Sequence, residues 1–202
     1  MVDKTVRSSR TGSETRETIL TTAERLFAEK GFAGCSIADI CGEVGIAKPS
    51  LFHHFKNKQQ LYAVLLSGIS DELRPLIDNC RANIDARAGL IGLAYDLDRW
   101  NHDHPDAHKL VMRDMLDFNE QTTASRKWLL TYFVEGIHET FLRLPEDSRF
   151  SGMPFSNFLA FFLGTISYYH VANSTLSALL PENRNSMSED YKSPASIIEN
   201  LL

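Results

Sequence analysis

The chain has 202 residues, 43% of them hydrophobic and 23% charged, with a formal net charge of −5. That apolar share supports a packed core of one or two domains and excludes a disordered chain. The acidic total argues against a uniformly basic nucleic-acid binder. Residues 1–60, however, hold nine Lys/Arg against seven Asp/Glu, while residues 61–202 hold twelve against nineteen, so charge sets the N-terminal part apart.

The N-terminus, MVDKTVRSSRTGSE, has no apolar run of a secretory signal and reads as a flexible basic arm over residues 1–13. Arg7, Arg10 and Arg16 could reach phosphates or simply be solvated. In the first helix Ile19, Leu20, Ala23, Leu26 and Phe27 recur at helical spacing, and Gly31 is placed to end it. Ser36 is an N-cap for the next helix, with Asp39 three residues on in a capping-box arrangement. That helix runs to about Val44, and Gly45 makes a turn. A short third helix spans about Lys48 to Phe55, with Pro49 tolerated in its first turn.

Asn57 caps a long fourth helix, about Lys58 to Asn83, which should kink or break near Leu73–Arg74 because Pro75 follows. Further helices are expected at about 87–102, 105–116, 122–142 and 154–179, with breaks at His104-Pro105, Asn119–Thr122 and Pro145 to Pro154. Residues 181–194 read as a polar loop before a short last helix capped by Ser193. No strand alternation or internal repeat is visible, so the fold class is all-α. The segment from Phe150 to Pro181 lacks Asp, Glu, Lys and Arg, but scattered polar residues exclude a membrane span. It reads as a helix buried on two sides.

Two short helices joined by a glycine turn after a longer one form the layout of a helix-turn-helix, about 36–55, which presents its second short helix to the major groove. Leu51, Phe52 and Phe55 are expected to anchor that helix. Lys48, Ser50 and His53 face outward, with Lys56 and Lys58 following as cations for the phosphate backbone. His54 is expected to pack within the domain.

The run ILTTAERLFAEKGFAGCSIADICGEVGIAKPSLFHHFKNKQQLYAVL, Ile19 to Leu65, resembles the DNA-binding domain of the TetR family of transcriptional regulators. The features that carry it are "LF…KGF", Ser36 before "IADI", "VGIAK" and "LFHHFKNK", about a quarter of the chain in fixed spacing. The resemblance implies a DNA-binding domain over residues 14–62 and a helical effector-binding and dimerisation domain over 63–202. It implies a homodimer on a palindromic double-stranded operator, released by a small-molecule effector, and a repressor rather than an activator. It implies DNA contacts by Ser36, Lys48, Pro49, Ser50, Phe52, His53, Lys56 and Lys58. Two positions depart from the family pattern: Pro49 stands where glycine is common, and Phe52 where tyrosine supplies a phosphate contact.

For the second domain the aromatic residues Trp100, Phe118, Trp128, Tyr132, Phe162 and Tyr169 are candidate lining for an apolar effector pocket. Phe158, Phe161, Thr165, Tyr168, Ala172 and Leu176 are candidates for the dimer interface, which the resemblance assigns to this helix and the last one. The competing reading is an all-helical enzyme or metal-responsive protein using the His102–His108 region, where His104 and His108 are four apart. A turn capped by His104 explains the same residues, so no cofactor, metal or catalytic residue is expected. Cys35, Cys41 and Cys80 have no paired spacing; they suit a reducing cytoplasm and read as small buried hydrophobes.

Overall fold

The computed structural model describes residues 11–116, 123–179 and 193–202. The described residues form helices and no strand. In order these are α1 (Gly12–Gly34), α2 (Ile37–Val44), α3 (Lys48–His54), α4 (Lys58–Ala82), α5 (Ala86–Asp103), α6 (Pro105–Leu116), α7 (Thr123–Phe141), α8 (Phe155–Leu179) and α9 (Pro194–Leu201). None is long and apolar enough to cross a membrane. The chain divides into two units, Met1–Leu65 and Leu66–Leu202, so the division falls inside α4.

Local chemistry sets the limits of the first helices. Thr11 and Glu14 close a capping box at the start of α1. Gly31, at φ 73° and ψ 168°, interrupts α1 in a region that only glycine enters without strain. The helical path resumes for one short turn to Gly34 instead of ending there. Ser36 and Asp39 form the capping box of α2, and Gly45 at φ 76° ends it in the left-handed C-cap conformation. Asn57 caps α4: its Oδ1 accepts from the Gln60 amide at 2.8 Å, while the Gln60 side chain takes the Lys56 amide at 2.6 Å.

Pro75 lies within α4 and does not break it. Its ring is on the exposed face, while Leu73, Leu76 and Ile77 on either side pack against the core of the second unit. Their burial, roughly 1.5–3 kcal/mol for each fully buried side chain, offsets a proline penalty of about 3 kcal/mol.

The first unit closes around Ile19, Leu26, Phe27, Ile40, Leu51 and Phe55, all 3% exposed or less. Tyr62 of α4 meets the Phe27 ring edge-on at 5.1 Å. In the second unit, α5 and α8 carry the core through Leu90, Leu93, Phe158, Phe162 and Ile166, and α9 adds Ile198. Phe158 stacks on Phe162 at 5.6 Å and meets Phe150 edge-on at 5.2 Å. Glycine permits two close approaches here. A Cβ at Gly136 of α7 would lie 2.3 Å from Cγ1 of Ile77 on α4, and one at Gly89 of α5 would lie 2.8 Å from the Cys80 carbonyl oxygen.

Candidate functional site

Helix α3 is short and is held at two points. Leu51 and Phe55 are buried in the first unit, and the Arg16 guanidinium lies 5.3 Å over the Phe55 ring. Around the rest of the helix Lys48, Pro49, Ser50, Phe52 and His53 are exposed. Phe52 is therefore not an anchor: at 46% exposure it stands on the outer face with Lys48 and His53. Leu51 and the C-capping Phe55, four positions apart, fill the stripe that meets the core, and Phe52, the next residue round the helix from Leu51, falls outside it. His54 is half-buried, with its ring 5.5 Å from His53 and 6.4 Å from Phe55. Lys56 is exposed just beyond the helix.

Lys58 is placed differently from its expected role on the phosphate backbone. Its ammonium donates to the carbonyl oxygens of Phe32 at 2.6 Å and Cys35 at 3.0 Å, and sits 4.2 Å over the Phe32 ring. Those carbonyls follow the Gly31 interruption at the end of α1, and a cation at a helix C-terminus is favourable there. Ser36 is likewise engaged. Its hydroxyl and its amide both donate to the Asp39 carboxylate, at 2.7 and 2.8 Å. Those bonds hold the Asp39 carboxyl below its ordinary range. Both polar donors of Ser36 are thus already bonded inside the α2 cap.

The second unit encloses a cavity of about 480 Å³ between α4, α5, α6, α7 and α8. Pockets of about 300–1,000 Å³ take small organic ligands. Leu73, Ile77, Leu97, Val111, Leu159 and Leu163 form its apolar wall, with Met112 and Met115 from α6. Trp100 and Tyr132 line it. Trp100 is anchored by its Nε1, which donates to Glu72 at 3.0 Å, and by stacking on His104 at 5.3 Å. Phe162 does not line the cavity; it is fully buried in the core, pointing away from the side of α8 that carries Leu159 and Leu163. Tyr169 is half-buried and also absent from the wall. Phe118 and the Trp128 side chain lie outside the described residues.

Arg74 is the only lining residue, among those described, with a formal charge. Its guanidinium lies 4.7 Å over the Tyr132 ring, and that of Arg81 lies 4.6 Å from the same ring. Arg81 pairs with Glu139 of α7 at 2.9 Å. The Tyr132 hydroxyl donates to Asp78.

On α8, Phe158 is fully buried in its own core, which removes it from a surface that could meet a partner. Phe161, Thr165 and Ala172 are half-buried, Tyr168 is 65% exposed and Val171 45%. The Leu176 side chain lies outside the described residues.

The histidines of the 102–108 segment do not converge. His102 and His104 are exposed, whereas His108 is buried, edge-on to His170 at 6.0 Å. No metal-holding group of three or more His, Cys, Asp or Glu occurs among the described residues. His170 instead bonds the buried Asp98 at 2.6 Å, and Asp98 also accepts from Ser193 at the start of α9. This polar tie between α5, α8 and α9 carries no sequence motif. Burial, with the His170 charge nearby, pushes the His108 imidazole down to about 4. The three thiols are buried and free, and burial pushes each of them up.

Residues 19–65 match the family profile described as "Bacterial regulatory proteins, tetR family". The HTH-type transcriptional repressor KstR2 of Mycobacterium tuberculosis is 26% identical over 138 residues, 63% of this chain and 69% of that protein. The IcaR negative transcriptional regulator of the biofilm operon icaADBC from Staphylococcus epidermidis is 23% identical over 180 residues, 88% of this chain and 95% of its own. Among solved structures, AibR in complex with isovaleryl coenzyme A and operator DNA superposes with a TM-score of 0.66 at 19% identity, covering 78% of this chain and 86% of that one. Residues 19–65 thus carry the helix-turn-helix profile of the tetR family, and the chain shares its helical fold with AibR.

Proposed function

We propose that this chain is a ligand-responsive repressor that binds a palindromic operator as a homodimer and releases it when a small molecule fills the cavity of the second unit. The observation that carries the reading is α3: a helix pinned by Leu51 and Phe55 with Lys48, Ser50, Phe52 and His53 on its outer side. Lys48, at the helix start, is the base-reading cation, since lysine donates to guanine O6 and N7 or to phosphate. Ser50 and His53 add donors and acceptors on the same side. Phe52 supplies an apolar contact of the kind a thymine methyl accepts. Pro49 lacks an amide proton and serves to fix the helix start. Lys56 takes a phosphate, whereas Lys58 and Ser36 support the domain from behind.

The relatives support this reading: KstR2 is a transcriptional repressor, IcaR a negative transcriptional regulator, and AibR was solved in complex with isovaleryl coenzyme A and operator DNA. In the second unit the outer side of α8, with Phe161, Thr165, Tyr168, Ala172 and Leu176, is the surface assigned to the second copy. Trp100 and Tyr132 are assigned to the effector. Action on an operator places the protein in the cytoplasm, as a regulator and not an enzyme.

Selection of bound sequences from random double-stranded DNA tests the reading. It should return a palindrome with half-sites about one helical turn apart, or a multiple of that. On that palindrome Lys48→Ala should lose roughly ten- to a hundredfold in affinity, about 1–3 kcal/mol. Undiminished affinity and sequence preference in the variant would remove Lys48 from base reading.

A further inference from the structure

The cavity wall is mostly hydrocarbon, but two buried polar side chains open onto it, and neither carries a charge. Asn101 of α5 is 4% exposed and Ser70 of α4 is 6% exposed. We propose, on the reading of this cavity as the effector site, that the effector is an uncharged, largely apolar molecule whose hydroxyl or carbonyl group bonds to Asn101 and Ser70.

Among the described residues, His108 Nε2 is the one side-chain polar atom that is wholly enclosed without a hydrogen bond. The Asn101 amide bonds to no other described group either, so its open side is the cavity. An amide left unpaired in an apolar wall is costly, and a molecule that supplies a partner is favoured there over a plain hydrocarbon.

Ser70 and Asn101 lie at the same end of the cavity. Helices α4 and α5 run antiparallel about the turn at residues 83–85. Gly89 approaches the Cys80 carbonyl near that turn, and Trp100 Nε1 donates to Glu72 at 3.0 Å far from it. Ser70 and Asn101 flank the second pair, two residues before Glu72 and one after Trp100. A primary amide has two donors and an acceptor, and a serine hydroxyl donates and accepts. A ligand carbonyl between them accepts from both, and a ligand hydroxyl can also donate to the amide oxygen.

A charged head finds no such partner. Arg74, the one charged residue of the described lining, is already engaged, in part by the Tyr132 ring at 4.7 Å. The described lining holds no Asp or Glu. Beside the cavity, Asp98 and His170 bond to one another at 2.6 Å. Burial keeps the His108 imidazole, one turn before Val111 and Met112 on α6, uncharged at neutral pH. A carboxylate or an ammonium would therefore lose its water without gaining a free counter-charge.

The experiment is calorimetric titration of the full-length protein at neutral pH with octan-1-ol, octan-2-one, octanoate and octyltrimethylammonium, which carry similar chains and different heads. The alcohol and the ketone should bind about tenfold or more tightly than either ion. Asn101→Leu should weaken the alcohol and the ketone about three- to tenfold, the worth of a neutral hydrogen bond. The same variant should hold 1-chlorooctane, whose head is a poor hydrogen-bonding group, at least as tightly as the wild type does. If Asn101→Leu does not fold, Ser70→Ala takes its place and should weaken the alcohol about threefold. An ion binding as tightly as the alcohol, or none of the probes binding, overturns the proposal. So does a variant whose alcohol affinity is unchanged, or one that loses 1-chlorooctane as much as the alcohol. Operator affinity without ligand is measured in parallel. Binding to a palindrome without preference for the uncharged heads sinks this inference alone, and that preference without a palindromic operator sinks the regulatory reading alone.

Discussion

Lys58 joins the end of α1 to the start of α4 through the Phe32 and Cys35 carbonyls, which α1 leaves open after Gly31. Such a cation contributes to stability from inside the domain, and phosphate contact need not involve it. Lys58→Met should lower the urea stability of the first unit by about 1.5–3 kcal/mol, the range for hydrogen bonds to a charged group. At a temperature where the variant is folded, the salt dependence of operator binding should keep its slope. A phosphate-bound lysine would reduce that slope by about one, and such a drop would restore the phosphate role.

His108 is the other residue with a measurable signature. Its folded imidazole titrates at about 4, against 6.5 for an ordinary histidine. Between those values the unfolded chain holds a proton that the folded chain does not, so stability rises with pH across the window. It is complete above about pH 6.5 and falls as the solution is acidified towards pH 4. The shift corresponds to at most about 3 kcal/mol. Comparing urea denaturation at about pH 5 and pH 7.5 in wild type and His108→Leu isolates it, since the leucine variant should lose less stability on acidification. Equal losses in the two proteins would show that His108 is not the group responsible.

At the scale of elements, the close approach of α7 to α4 depends on the missing side chain of Gly136. The contact falls on Cγ1 of the fully buried Ile77 as well as on its tip, so a methyl group at position 136 forces the side chain or the helix to shift. Gly136→Ala should cost about 1–3 kcal/mol in thermal or urea unfolding, the usual range for overpacking. Gly92→Ala, where a Cβ meets nothing within 4 Å, serves as the control and should be neutral or slightly stabilising. A Gly136→Ala protein as stable as wild type would mean that α7 shifts freely against α4.

The helix boundaries were readable in the sequence because they rest on local chemistry: Ser36 with Asp39, Gly45, Asn57 and Ser193 each act within four residues of themselves. The outer face of α3 was readable for the same reason, apart from Phe52, whose side of the helix was decided by Leu51 and Phe55 filling the stripe. The span of α4 was readable, but that Pro75 would not break it was not, since burial of Ile77 and its neighbours offsets the local penalty. Nor was the side of α8 that each aromatic occupies. Phe158 and Phe162 follow the same spacing as Leu159 and Leu163, and only the positions of α4 to α7 decide which pair meets the core and which meets the cavity. Sequence pattern reports that a helix has an apolar face, but not what stands opposite it.

Across the whole molecule the charge is unevenly divided, with the excess of acids in residues 61–202 and a slight excess of bases in residues 1–60. On the proposed reading, long-range attraction to DNA is therefore modest, and recognition would rest on the few cations placed at α3. The three cysteines, each 5% exposed or less, have a practical consequence. Their thiolates are both hidden and scarce at neutral pH, so maleimide reagents find nothing to attack on the native protein. A cysteine introduced at Ile84, which is 98% exposed between α4 and α5, becomes a single addressable handle without removal of any native thiol. A fluorophore or spin label there would report on the turn between α4 and α5 in the unaltered background of the natural chain.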